Sequence, residues 1–255
     1  MNNLRILKQF NGCCFADLDL KQQGVIEDFQ LLFYIIQPPT PERVKYDIFD
    51  RVNRGGTPLN KQEMRNALYR GRCTRMLDKL CCSPEFLIAT GRSINKERMK
   101  DQYVVLRAIA FLMLHRGEFK DIPALQYRGD IDDFLARFMV YVNDNAPEKL
   151  IVDYENLFIR CMQISYDLLG ENGFRFSGNG IRRPINMPLF EALSYLFSFV
   201  PEKIDYTWAS RLILDIESVK EEFDDSRYFS GNIDSTTSVS FRFDRMDKII
   251  NRIQL

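Results

Sequence analysis

The residues best equipped for chemistry fall between positions 47 and 70. Asp47, Asp50 and Glu63 are carboxylates of the kind that take a proton or hold a cation, although Asp47 and Asp50 equally suit an ordinary helix surface. Phe49 and Asn53 stand four positions apart, which puts them on one helix face, Phe49 as a core anchor and Asn53 as a polar group at the helix exit. An asparagine at a helix end followed by Gly55 and Gly56 is also good termination chemistry that needs no ligand. Arg51, Arg54 and the Gly55-Gly56 pair offer guanidinium and backbone N–H groups to a phosphate, and the N-terminus of the next helix adds a favourable dipole. The glycine pair fits neither a P-loop nor a dinucleotide fingerprint. Arg65 and Arg70 extend the basic set, and a helix-turn-helix over residues 41–69 would carry both to DNA, but the connection is longer than that motif's turn.

Other chemistries find less support. His115 is the one histidine, which removes Ser-His-Asp and Cys-His catalysis. It closes an apolar helix, where a cationic side chain suits the last carbonyls. The cysteines, at 13, 14, 73, 81, 82 and 161, contain no C-x-x-C pair and read as reduced, mostly buried thiols with no metal site. Asp130, Asp132 and Asp133 open a helix and complement its dipole. Phe174, Phe176, Arg182 and Arg183 mix rings and cations in one loop, a pattern that serves either nucleic-acid contact or helix packing.

Net charge is zero, but residues 42–116 carry 16 Lys and Arg against 8 Asp and Glu. Such asymmetry suits a segment that faces a polyanion; the alternative is that these charges are paired in three dimensions. No apolar run reaches the length of a membrane span, and residues 1–12 lack a signal peptide's apolar region, so the expectation is a cytoplasmic protein with no membrane partner.

The elements that must position these residues are mostly helices, so the expected class is mainly α, with a small strand at residues 31–37 closed by Pro38 and Pro39. Thr40-Pro41-Glu42 starts a helix with an apolar stripe at Val44, Ile48 and Val52, stopped by Gly55-Gly56. Asn60 and Glu63 are spaced as a capping box for a helix over 61–69. Ser83-Pro84 opens a short helix, and residues 96–116 form a long one that is apolar almost all round from 103 to 114. Helical patterns follow at 131–142, 148–169, 189–199, 206–222 and 241–253, with a structured loop at 170–188 and a polar stretch at 230–238.

The segment from Asp47 to Leu68, with its F-x-x-x-N at Phe49 and Asn53 and its following G-G-x-x-L-x-x-x-E-x-x-x-A, resembles the GmrSD-type restriction endonuclease N-terminal family, also called domain of unknown function 262. The order of later segments is similar too: Phe86 to Thr90, then Arg98-Met99-Lys100-Asp101 leading into Val105 to Phe111, then Ile185-Asn186, then Arg242. The resemblance implies the remnant of a ParB/sulfiredoxin-like domain over residues 1–120, followed by a helical bundle over 121–255. It further implies a role in DNA modification or phage defence, with Phe49, Arg51, Asn53, Arg54, Gly55, Gly56, Glu63, Arg65 and Arg70 as nucleotide- or nucleic-acid-binding residues. The family's Asp-Gly-Gln-Gln-Arg motif has no counterpart here; Gln22-Gln23-Gly24 lacks both the acid and the arginine. The expectation is therefore a truncated domain, a nucleic-acid or partner-binding module without a complete catalytic centre. Nucleoside triphosphate and Mg enter only with the missing segment. The alternative is a structural subunit that completes a separately encoded catalytic half, or an inactive remnant.

Overall fold

The structure, a computed structural model, describes all residues except 1–5, 32, 34, 36–43, 45–46, 49–50, 52–57, 179–181, 202, 204 and 254–255. The chain divides into two units, Met1–Asp47 and Ile48–Leu255. In the first, α1 (Leu20–Glu27) begins at Asp19, whose carboxylate accepts from Gln22 N while the Gln22 side chain accepts from Asp19 N. The neighbouring Gln23 amide donates to Phe15 O and Leu18 O. The glutamine pair that faintly echoes the family motif thus has a local job in starting a helix. Leu31, Phe33 and Ile35 are exposed and in no strand, and the other members of the expected 31–37 strand lie outside the described residues. Val44, Asp47, Ile48 and Arg51 are helical, as the pattern at 41–54 predicts for them.

Every regular element among the described residues of the second unit is a helix. α2 (Lys61–Leu68) begins with the capping box expected of Asn60 and Glu63. α3 (Arg72–Cys81) carries Cys73, Met76, Leu77, Leu80 and Cys81, a buried stripe at helical spacing. α4 (Pro84–Ala89) starts from Ser83, whose hydroxyl accepts from Phe86 N. Between α2 and α3 the backbone of Gly71 lies against Asn143, close enough that an added Cβ would meet Asn143 Oδ1 at 2.5 Å.

α5 (Lys100–His115) is the centre. It is buried on every side from Val104 to Met113 and packs on α8 (Met187–Phe197), with α3 and α6 (Ile131–Asp144) around it. α7 (Glu148–Leu169) covers α4 and α8, while α9 (Tyr206–Asp224) and α10 (Thr236–Ile253) close the bundle. One continuous apolar core runs from Tyr69 to Ile250, taking in residues on both sides of position 120. α10 starts five residues earlier than its apolar pattern suggests, because Ser235 accepts from Ser238 N and provides a cap inside the polar stretch. Phe174 and Phe176 of the 170–188 loop are buried against Phe190 and Phe229, with ring centroids 4.3 and 5.9 Å apart. Packing is therefore the use the fold makes of these rings.

Inside the core lies an ionic network. Glu191, fully buried, bridges Arg107 and Arg242, accepting from Arg107 Nε and, at 2.7 Å, from Arg242 Nη2. Arg107 also donates to Asp234 at 2.6 Å and to the Tyr103 hydroxyl at 3.0 Å. Burial alone would lower the Arg107 pKa, but the Glu191 charge and the Asp234 hydrogen bond outweigh it and raise it. His115 ends α5 as expected, but not as a cation. Burial, helped by the Arg242 charge, pushes its pKa down to about 3, and the neutral ring stacks on Phe243 at 3.6 Å between centroids.

Candidate functional site

A cleft of about 560 Å³ opens where the start of α2 meets residues 95–103, lined by Asn60, Lys61, Gln62, Arg65, Asn95, Glu97, Arg98, Lys100 and Tyr103. Its floor is built by capping chemistry. The Asn60 side-chain Oδ1 accepts from Gln62 N and Glu63 N at 2.8 and 2.9 Å, and the Glu63 carboxylate accepts in return from Asn60 N at 2.6 Å. This leaves the Asn60 amide nitrogen free to donate to Arg98 O at 2.7 Å. Arg98 Nη2 turns back to Glu63 at 3.0 Å and to Pro58 O at 2.6 Å. The hydrogen bond from Arg98, with that from Asn60, holds the Glu63 carboxyl below the usual range.

Arg98 and Met99 reach this arrangement in left-handed backbone, with φ of 57° and 58°. Each such non-glycine residue costs about 1–3 kcal/mol and persists only where its surroundings hold it. Here the hydrogen bonds of Arg98, and the contact of Asn66 Nδ2 with Met99 Sδ at 3.2 Å, supply that hold.

Arg65 forms the wall. It is 1% exposed, donates through Nε to Gln62 at 3.0 Å and through Nη1 to Asp132 at 2.8 Å, and lies 5.3 Å from the centroid of the Tyr103 ring. Its Nη2 is buried and makes no hydrogen bond. Asp132 also receives Lys61. Burial pushes the Asp132 carboxyl up, but hydrogen bonds from Lys61 and Arg65 win and hold it below its ordinary value.

Of the residues singled out from sequence, Glu63 and Arg65 stand in or beside the cleft, and Arg51 and Arg70 are exposed. Phe49, Asp50, Asn53, Arg54, Gly55 and Gly56 lie outside the described residues. Asp132, read as a helix-dipole acid, proves also to be the ion partner of Lys61 and Arg65. Arg98 was visible only as part of a segment order; its approach to Glu63 across 35 positions has no local signal. In the sequence Tyr103 is one more member of the apolar run of the long helix.

Part of the basic excess of residues 42–116 is answered by acids from later in the chain. Arg72 meets Glu148, Lys79 meets Glu155, and Arg107 meets Glu191 and Asp234, so acids from the later chain answer these cations. In the loop at 170–188, Arg182 pairs with Glu171 and Arg183 with Asp224.

Burial pushes the Cys73 and Cys161 thiols up, Cys161 to about 12, while Cys14 and Cys82 are exposed. Among the described residues no group of three His, Cys, Asp or Glu is placed to hold a metal, and no helix is long and apolar enough to cross a membrane. Comparison with family models, curated proteins and solved structures finds no match.

Proposed function

We propose that this chain is a nucleic-acid-binding module of a GmrSD-like, DNA-modification or phage-defence protein, without a complete nuclease or nucleotide-hydrolysis centre of its own. The observation that carries the reading is the Glu63–Arg98 pair. The two stretches that bear the family resemblance, around Asn60–Glu63 and Arg98–Asp101, converge on one cleft through that bond. Arg65 and Lys61 stand in the cleft and the exposed Arg51 and Arg70 belong to the same basic segment. In this reading the cations bind phosphate, and any hydrolysis belongs to a segment carrying the Asp-Gly-Gln-Gln-Arg motif, the only part that would bring nucleoside triphosphate and Mg. Fluorescence anisotropy with labelled single-stranded and duplex DNA at low salt tests it. Binding that weakens on Arg51→Gln with Arg70→Gln supports the module; no binding at low salt removes it.

A second reading, a subunit that completes a separately encoded protein half, draws on a different observation. Leu20, Val25, Phe29, Leu31, Phe33 and Ile35 are all exposed, at 67% or more. Such apolar surface favours a protein partner. Co-expression with the product of an adjacent reading frame, followed by mass measurement of the purified complex, distinguishes the two.

A further inference from the structure

We infer that Asn11–Gly12 is a site of spontaneous covalent modification, where the Gly12 amide nitrogen closes on the Asn11 side chain and converts it to aspartate and isoaspartate in the folded chain. The sequence holds three Asn-Gly pairs, at 11–12, 172–173 and 179–180. The first two differ in setting, and that difference decides which of them reacts; the third lies outside the described residues.

The step needs no reagent but water. Gly12 N attacks Asn11 Cγ, the new C–N bond closes a cyclic imide as the Cγ–Nδ2 bond breaks, and the proton from Gly12 N leaves with the side-chain nitrogen as ammonia. Water then opens the imide at either carbonyl. Opening at Cγ leaves aspartate. Opening at the main-chain carbonyl leaves isoaspartate, with the chain rerouted through the former side chain. Glycine hinders the attack least, because it has no Cβ beside the nitrogen.

Asn11, with φ −63° and ψ 127°, and Gly12, with φ 87°, are the central residues of a type II turn closed by Cys13 N donating to Phe10 O at 3.1 Å. The positive φ of the second position calls for glycine, so the turn itself places the least hindered amide after this asparagine. The closing bond engages Cys13 N and not Gly12 N. Both turn residues are exposed, and nothing lies within 4 Å of where a Gly12 Cβ would stand. Imide closure rotates the Asn11–Gly12 peptide away from ψ 127° and breaks the bond from Cys13 to Phe10, a turn bond of small net worth.

Asn172–Gly173 carries the same dipeptide in the opposite setting. Gly173 is buried, an added Cβ there would meet Ser165 Oγ at 2.6 Å, and Gly173 N donates to Gly170 O at 3.4 Å. The Asn172 carbonyl accepts from Arg175 N at 3.1 Å and from Lys220 Nζ at 3.4 Å. Rotating this peptide would break those bonds where Phe174, Arg175 and Phe176 pack into the core, so closure there waits on local unfolding.

The test is incubation of the full chain at mildly alkaline pH, with circular dichroism to confirm that it stays folded, followed by tryptic mapping with mass spectrometry. Trypsin separates the three pairs into peptides 9–21, 161–175 and 176–182. Isoaspartate is read independently by labelling with an isoaspartyl carboxyl methyltransferase and radiolabelled S-adenosylmethionine. The expected result is conversion of Asn11 at least about tenfold faster than Asn172 in the folded chain, with the gap closing in urea. Asn11→Gln, a change at an exposed position whose longer side chain closes the imide poorly, should remove the conversion and the label from peptide 9–21. Peptide 9–21 that stays unconverted, Asn172 that converts as fast as Asn11 in the folded chain, or label in peptide 9–21 that survives Asn11→Gln would each overturn the assignment.

Discussion

Replacing Glu191 by glutamine should be among the most damaging conservative changes available to this fold. The substitution keeps the shape of the side chain and removes only its charge, so two guanidinium groups, 1% and 0% exposed, lose the acid they share. Arg107 retains Asp234 and the Tyr103 hydroxyl, but Arg242 is left with Ile233 O at 2.6 Å and no carboxylate, and its Nε is already without a partner. Breaking a buried pair by removing one member costs about 3–5 kcal/mol. For a chain of this size each kcal/mol lowers Tm by about 2–4 °C, so the expected drop is on the order of 6–20 °C. Urea titration and thermal melting followed by near-ultraviolet circular dichroism measure it. Glu222→Gln, which removes an equivalent pair with Arg245 at the surface, should shift stability by no more than about 0.5 kcal/mol. Because the penalty is an uncompensated cation, adding Arg242→Met to Glu191→Gln should cost less than the sum of the two single changes. A loss below about 1 kcal/mol for Glu191→Gln, or strict additivity in the double variant, would refute the view that Glu191 neutralises a buried cationic pair.

Three further outcomes follow from the same structure. His115 is buried neutral with its pKa lowered to about 3, so the unfolded chain takes up a proton that the folded chain refuses. Its contribution is fully present above pH 6.5 and is lost as pH falls toward 3, at up to about 1.4 kcal/mol per pH unit. Since His115 Nε2 has no hydrogen bond to lose, His115→Phe should flatten the acid limb of a stability-against-pH curve relative to wild type. Gly71→Ala should cost about 2 kcal/mol in urea titration, because the new methyl displaces Asn143, which accepts from Cys73 N and donates to Tyr69 O, both at 2.9 Å. Titration with a thiol reagent should modify Cys14 and Cys82 in the native protein and reach Cys73, Cys81 and Cys161 only on unfolding; early reaction of Cys73 would contradict its burial.

Local chemistry was legible in the sequence and long-range pairing was not. Asn60 with Glu63, Ser83 before Pro84, and Asp130 before an apolar pattern each mark a helix start because a cap needs only three or four adjacent residues. The apolar run at 103–114 announced the buried central helix for the same reason. α3 is hard to see in the sequence because Arg72, Arg75, Asp78 and Lys79 interrupt its stripe, though Cys73, Met76, Leu77, Leu80 and Cys81 keep helical spacing. Arg65 looked like a surface cation because its partner, Asp132, stands 67 positions away. The pairing of the basic segment with later acids likewise depends on how α3 and α5 pack against α7, α8 and the start of α10. What the candidate site shares with its reading from sequence is the Asn60–Glu63 stretch and Arg65; its other wall, Arg98 to Tyr103, required the fold.

The most direct measurement of the central claim is the salt dependence of DNA binding by the whole chain. For a nucleic-acid-binding module log K falls linearly with log salt, and Arg51→Gln, Arg70→Gln and Lys100→Gln each make the slope shallower without changing sequence preference. Binding absent at low salt, or present with a slope that none of these variants alters, would contradict it.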